Sequence, residues 1–232
     1  MHILSLALLL LFTQRQDVPS AQQPPVLVVT GNSQVLAVPD RAVVRLGIVR
    51  QAPVAEMAQQ QANTVAQDIL TAITKAGVAS KDIQTSRLVL SPVYAPRSSD
   101  QHIVSYNATN SISVRLDNLE MVGSVIDAGL KAGANQLEGV QFVLKNELPS
   151  REQALREAVQ EARGKAQAMA EALRVNLMEV VEATEGGVSV VPRVQAFAAA
   201  QVAQPGSSTP VSPGEIEVRA NVTIRYRISP KP

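Results

Sequence analysis

The C-terminal segment of the chain has the most regular pattern in the sequence. From Ile216 to Ile228, thirteen residues alternate between apolar and polar side chains without a break. A period of two is the pattern of a β strand with one buried and one exposed face. At about 3.3 Å per residue the segment would extend about 43 Å, which few small domains need. The chain is therefore predicted to build an extended sheet, or to share a sheet between subunits.

Residues 26–145 contain two successive strand–helix–strand patterns. The first helix opens at Pro53 and ends at Gly77. Its apolar stripe consists of Ala58, Ala62, Val65, Ile69 and Ile73. The second helix is predicted to begin at a capping box of Asp117 and Glu120. This order is the split βαβ connectivity of ferredoxin-like layers. The sequence thus predicts an α+β fold, with an antiparallel-rich sheet and long helices packed on one face.

The strands of these units differ in how regular their sequence patterns are. Val26–Val29 is predicted as a short strand that ends in a turn at Thr30–Ser33. A strand over 83–94 is interrupted by Pro92. The segment 104–116 alternates cleanly, so one of its faces is expected in the core and the other against water or a partner.

Residues 149–228 are predicted to form a third helix, a strand, a long loop and the terminal strand. The helix is expected to begin at a capping box of Ser150 and Gln153. Its apolar spacing favours a long amphipathic helix on the sheet, with a coiled-coil seam as the alternative. The stripe consists of Leu155, Val159, Ala162, Ala166, Met169 and Leu173, and an alanine face of Ala154, Ala158, Ala168 and Ala172 permits close packing. After a strand at 180–185, residues 186–214 are rich in Ala, Gln, Pro, Ser and Gly. They are expected to be an exposed loop, either functional or disordered.

The N-terminus has the pattern of an export signal. About ten apolar residues run from Ile3 to Phe12 and are followed at once by polar residues. A membrane-spanning helix needs about 20 apolar residues, so this run matches the apolar region of a secretory signal peptide. A buried N-terminal helix is the alternative. We expect a signal peptide over residues 1–21 and a mature domain over 22–232.

The composition excludes several classes of chemistry. The chain has no cysteine, so disulfides, thiolate catalysis and zinc–cysteine sites are unavailable. Its formal net charge is +1, whereas a nucleic-acid-binding protein carries a basic excess. Aromatic residues make up 3% of the chain, too few for platforms that stack bases or sugars. We therefore expect a globular protein that does not bind nucleic acid.

Candidate catalytic residues are few. His102 is the one histidine after the predicted signal peptide, and it follows a polar loop. No Gly-x-Ser-x-Gly motif and no glycine-rich phosphate-binding motif is present. Asp40, Asp82 and Asp127 are the carboxylates that a hydrolase would use, although turn-forming roles suffice for the first two. The sequence predicts no enzyme, with no catalytic, cofactor-binding or metal-binding residues and no cofactor.

Four arginines lie on the polar faces of predicted strands: Arg115, Arg219, Arg225 and Arg227. They would form a basic patch if the fold brings them together. Ordinary solvated charges are the simpler interpretation, because the charge of the whole chain is nearly balanced.

Several short sequence segments, taken in their order along the chain, resemble the SIMPL-domain family of bacterial periplasmic and surface proteins. They cover about residues 26–185 and 215–228. The segments are Val29-Thr-Gly31, Pro39-Asp-Arg-Ala42, Lys81-Asp-Ile-Gln-Thr-Ser86, Leu90-Ser-Pro-Val-Tyr94, Tyr106-Asn-Ala-Thr-Asn110, Val125-Ile-Asp-Ala128, Ala132-Gly-Ala-Asn135 and the predicted helix over 151–170. Within the family, the match is nearest to the periplasmic immunogenic type.

The resemblance implies an exported α+β protein that forms homo-oligomers. It also implies a role in envelope maintenance and oxidative-stress tolerance. The location it implies is the periplasm, either free or peripherally associated with the outer membrane. The family has no established catalytic residues to carry over. We expect a non-enzymatic, self-associating periplasmic protein; a ligand-binding module that uses residues 186–214 is the alternative, and a carboxylate-dependent hydrolase is a third hypothesis.

Overall fold

The computed structural model describes residues 24–95, 102–193 and 209–231. The predicted signal peptide over residues 1–21, residues 96–101 of the predicted polar loop at 95–101, and residues 194–208 of the predicted loop at 186–214 lie outside these residues. The described elements are β1 (Val26–Ala37), β2 (Arg41–Ala52), α1 (Ala55–Lys75), a 3₁₀ turn (Ser80–Asp82), β3 (Ile83–Tyr94), β4 (Ile103–Leu116), α2 (Met121–Lys131), β5 (Gln136–Val143), α3 (Leu148–Leu173), β6 (Val175–Arg193) and β7 (Glu215–Pro230). The α+β prediction is confirmed.

The two repeated units form one four-stranded sheet. Its strand order is β3-β4-β2-β5, and every neighbouring pair is antiparallel. This is the arrangement that split βαβ connectivity produces, as predicted. The apolar side of β2, with Val44, Leu46 and Ile48, is fully buried under α1 and α2. Both helices therefore lie on the same face of this sheet.

The terminal strand β7 is the middle strand of a second, three-stranded sheet in the order β1-β7-β6. It pairs with β1 from Ile216 to Arg227 and with β6 along almost its whole length. Its even-numbered side chains from Ile216 to Tyr226 are buried under α3. Strand β7 therefore finds its partners within this chain. Of the two predictions for this strand, this agrees with the extended sheet, and a sheet shared between subunits was the other.

Strand β1 continues through the predicted turn at Thr30–Ser33, so that prediction was wrong. Every residue from Val26 to Ala37 has a partner on β7. Turn-forming residues remain extended here because β7 supplies the hydrogen-bonding partners of a strand. Gly31 has a separate role: a Cβ atom at this position would overlap the carbonyl oxygen of Ala158 on α3.

Helix α3 packs on its sheet, as predicted, but the buried face agrees with the predicted stripe only in part, at Ala162 and Ala166. Its buried residues are Ala154, Ala158, Ala162, Ala166 and Ala170, each four positions after the last. Of the larger residues in the predicted stripe, Val159, Met169 and Leu173 are 44%, 43% and 58% exposed. Small side chains allow the helix to approach the sheet closely, and this packing outweighs the burial of larger ones. In the predicted alanine face, Ala168 and Ala172 are exposed.

Neither predicted capping box caps its helix. Helix α2 begins at Met121, and the side-chain oxygen of Asn118 accepts a hydrogen bond from the Glu120 amide at 3.0 Å. Helix α3 begins at Leu148, whose amide donates to the side-chain oxygen of Asn146 at 3.0 Å. Asparagine turns thus replace the boxes. In the first case the carboxylate of Asp117 is already engaged by two cations.

Strand β6 is much longer than the predicted 180–185. It extends from Val175 to Arg193 and pairs with β7 up to Arg193 and Glu215. The prediction that a loop begins at residue 186 was therefore wrong. Gly187 has a φ of 121°, and the register shifts between Glu185 and Gly187, so a bulge carries the strand past the glycines.

Candidate functional site

The candidate hydrolase carboxylates are engaged by different parts of the fold. Asp40 accepts a hydrogen bond from the Lys145 amide at 2.6 Å. Asp127 on α2 accepts one from the Thr209 hydroxyl at 2.8 Å. Asp82 lies 4.0 Å from the guanidinium of Arg115. These contacts give each carboxylate a structural role.

His102 lies directly before β4. Its carbonyl oxygen accepts a hydrogen bond from the Ala95 amide at 3.1 Å, which joins the end of β3 to β4. Within residues 24–95, 102–193 and 209–231, no group of three or more His, Cys, Asp or Glu side chains could hold a metal ion. In the same ranges no helix is long and apolar enough to cross a membrane.

Asp117 is the centre of a charged cluster at one end of the four-stranded sheet. Its carboxylate accepts from Arg41 Nε at 2.7 Å and from Lys145 Nζ at 2.6 Å. These hydrogen bonds, from Arg41 first and then Lys145, lower the pKa of Asp117 to about 2. The same contact raises the pKa of Arg41, and the charges of Asp82 and Asp40 add to that effect. The cluster joins the start of β2, the end of β4 and the segment that leads from β5 into α3.

The four arginines do not form a patch of unpaired positive charge. On β7, Arg225 pairs with Glu182 at 3.4 Å and Arg227 pairs with Glu179 at 3.1 Å. Arg219 pairs with Glu217, and this contact raises the pKa of Arg219. Arg115 belongs to the other sheet, beside Asp82. Paired surface charges are therefore the correct interpretation.

The polar face of β4 is partly covered by neighbouring side chains. Ser111 donates to Glu138 at 2.5 Å, and Gln51 donates to Ser105 at 2.5 Å. Ser105 and Ser111 are both buried. The prediction that this face meets water or a partner thus fails at these positions, because longer side chains of β2 and β5 lie over the serines.

An exposed strand edge is the strongest candidate for an interaction surface. Strand β3 lies at the end of its sheet, and between two register shifts it pairs regularly with β4 over residues 87–93. An edge strand leaves half of its backbone N–H and C=O groups unpaired. Leu88 and Leu90 are 59% and 44% exposed on the face that carries the helices. We call residues 87–93 the β3 edge; from Leu88 to Val93 it carries no charge.

A polar groove lies beside the β3 edge. Its volume is about 520 Å³, and the flank of α1 forms its wall with Glu56 and the amides of Gln59, Gln60, Asn63 and Gln67. Leu90 lines it from the strand. The side-chain oxygen of Asn63 accepts from Gln59 at 2.9 Å and from Asn110 at 3.3 Å. We call this the amide groove. Because an amide both donates and accepts hydrogen bonds, such a surface is complementary to a copy of itself.

Asn110 connects the core to the amide groove. It is 3% exposed on the core face of β4, and its side-chain oxygen has no hydrogen-bond partner among the described residues. Sequence reasoning missed both this residue and the β3 edge. The available signal was Pro92, since proline within a sheet occurs on edge strands, next to an uncharged apolar run.

The fold and its surfaces define a class: a two-sheet α+β protein with exposed leucines on the edge strand of its four-stranded sheet. The chain belongs to the SIMPL family, described as a protein of unknown function (DUF541), whose sequence profile matches residues 27–226. It is 31% identical to the 26 kDa periplasmic immunogenic protein of Brucella melitensis biotype 1, over 92% of this chain and 88% of that protein. It is 27% identical to the uncharacterized protein YggE of Escherichia coli strain K12, over 63% of this chain and 59% of that one. The family prediction is confirmed.

Proposed function

We propose that this protein is a non-enzymatic protein of the periplasm that self-associates through the β3 edge. The observation that carries the proposal is the uncharged stretch from Leu88 to Val93 on an edge strand, with Leu88 and Leu90 exposed beside unpaired backbone groups. Natural proteins normally protect such an edge with charges, with proline or with a covering element. On the β3 edge, Arg87 and Pro92 are devices of this kind, and Leu88–Ser91 lies between them. Here, pairing with the β3 edge of a second copy covers it.

The geometry favours a twofold arrangement. Two β3 strands that pair antiparallel turn two four-stranded sheets into one sheet of eight strands. A twofold interface brings the same surface of both copies together, so that surface must be complementary to itself. The leucines meet leucines, and the amide groove of one copy meets that of the other. A flank of like charges on α1 would oppose this contact; the flank carries one charged side chain, Glu56 at its N-terminal end, and the amides along the rest of it permit the contact.

The periplasmic location is supported by the relative from Brucella, whose name describes it as periplasmic. The predicted signal peptide over residues 1–21 agrees with it. The non-enzymatic assignment is supported by the structural contacts of Asp40 and Asp127. These contacts occupy carboxylates that a hydrolase would need.

The test of self-association is light scattering after size-exclusion chromatography. We expect an oligomer at tens of micromolar for the mature chain. The double change Leu88→Lys and Leu90→Lys should raise the dissociation constant at least tenfold, because lysine on an edge strand opposes pairing. Val38→Lys is the matched control, since Val38 is 78% exposed outside this surface. A monomeric wild-type protein would exclude the proposal.

We also propose that the protein contributes to tolerance of oxidative or envelope stress. A thiol mechanism is unavailable because the chain has no cysteine. Met57, Met169 and Met178 are about half exposed, and methionine oxidation to the sulfoxide consumes oxidant. A deletion strain should lose viability under peroxide and regain it with the wild-type gene. Unchanged viability of the deletion strain would contradict this part.

A further inference from the structure

The close packing of α3 leaves a groove on one side of the helix. The alanine row places α3 mainly over β1 and β7, so the side of β6 that faces the helix is left partly uncovered. A groove of about 650 Å³ lies between α3 and β6. This volume is within the range of about 300–1,000 Å³ that is typical of small-molecule sites.

The lining of this α3–β6 groove is mainly apolar. Ile224 and Tyr226 form a buried floor. Val159 on the helix and Met178 and Val180 on the strand are about half exposed along its walls. Apolar side chains in a furrow of this kind favour an elongated hydrocarbon chain, because its burial removes apolar surface from water.

The charges at the rim indicate the headgroup. Glu179 is neutralised by its ion pair with Arg227 at 3.1 Å. Arg163, on the helix rim, has no ion pair or hydrogen bond with any of the residues in the described ranges. A guanidinium without a partner beside an apolar groove is complementary to an anion, and its planar donors match a carboxylate in a two-point contact.

We propose that the α3–β6 groove binds a long-chain carboxylic acid, with the acyl chain along Val159 and Val180 and the carboxylate on Arg163. A free acid fits better than a lipid bilayer, because the apolar residues line a furrow between two elements and not a flat patch. The site is on the three-stranded sheet, whereas the β3 edge is on the four-stranded one. It therefore does not depend on the proposed self-association.

The test is a calorimetric titration of the mature protein with palmitate below its micelle concentration. We expect saturable binding of one palmitate per chain. Arg163→Gln should weaken it about tenfold to a hundredfold through the lost charge-assisted hydrogen bonds. Hexadecanol, which lacks the charge, should bind at least tenfold more weakly than palmitate. Arg156→Gln, on the same helix and paired with Glu152 at 3.5 Å, is the matched control and should not change the affinity.

A second variant tests the chain-binding part of the groove. Val180→Glu should abolish binding while circular dichroism and the melting temperature show that the protein remains folded. Absence of saturable palmitate binding, or equal affinity of the wild type and Arg163→Gln, would overturn the proposal. Binding that occurs only to phosphatidylglycerol vesicles, or a Val180→Glu variant that changes the oligomer and not palmitate affinity, would also overturn it.

Discussion

Gly31 lies directly beneath Ala158. A Cβ atom at position 31 would overlap the carbonyl oxygen of Ala158 and lie 2.8 Å from the Cβ atom of Ala162. The close approach of α3 to its sheet therefore requires glycine on the strand and alanine on the helix at the same point. The α3–β6 groove follows from this placement of the helix.

Gly31→Ala should lower the free energy of unfolding by about 1–3 kcal/mol. The added methyl group meets backbone atoms, so the helix must shift away from the sheet. Denaturation in urea measures the change. Gly164→Ala on α3 is the control, because a Cβ atom there meets nothing within 4 Å and should stabilise the helix by about 0.5–1 kcal/mol. A fully stable Gly31→Ala protein would show that the helix packs less closely than described.

The charged cluster at Asp117 predicts a specific pH dependence. The pKa of Asp117 is about 2 in the folded protein, below its ordinary value of 3.8. An acid whose pKa is lower in the folded than in the unfolded state stabilises the fold at pH values above its unfolded-state pKa. This contribution is lost as the pH falls from about 4 to about 2. The melting temperature of Asp117→Asn should therefore be below that of the wild type at pH 6, and the two should converge near pH 2.

The control for this titration is Asp68→Asn, because Asp68 is exposed on α1 away from the cluster. The difference between wild type and Asp117→Asn should also decrease at high salt, since the cluster is solvent-exposed and is screened. A difference that stays constant from pH 6 to pH 2 would show that Asp117 acts through packing and not through its charge.

Replacing Asn110 by valine should change the stability of the fold and the strength of self-association in opposite directions. Its buried side-chain oxygen has no partner, so Asn110→Val should raise the free energy of unfolding by about 1 kcal/mol. The same change removes the hydrogen bond to Asn63 that orders the amide groove, and it should weaken self-association. Asn107→Val, on the opposite face of β4, should change stability by less than about 0.5 kcal/mol. Urea denaturation and light scattering on the same samples measure both effects.

Long periodic segments were predictable from sequence, because burial enforces their period. The stripe of α1 with Ala58, Ile69 and Ile73 and the alternation of β7 both appear as expected. Other features depend on whether a local preference or a contact with a distant part of the chain is stronger. These features were not predictable from sequence. Thr30–Ser33 has turn-forming residues, yet its pairing with β7 keeps it extended.

Two other features depended on contacts that local sequence does not show. Asp117 has a suitable position for a cap, but Arg41 and Lys145 bind its carboxylate. On α3, the larger residues suggested one buried face, but Gly31 on a distant strand selects the alanine row. The β3 edge was similarly hidden, because sheet order decides which strand is last.

The absence of cysteine allows a direct measurement of the proposed interface, because a single introduced cysteine forms a disulfide only between copies. Residues that face each other across antiparallel strands have Cα atoms about 4.5–5.5 Å apart, within disulfide range. Single changes Leu88→Cys and Leu90→Cys, followed by mild oxidation and non-reducing electrophoresis, should give a covalent dimer for at least one position. Val38→Cys should remain monomeric on the gel. If neither β3 variant cross-links while the wild-type protein is oligomeric in solution, the interface lies elsewhere and the account of the β3 edge is wrong.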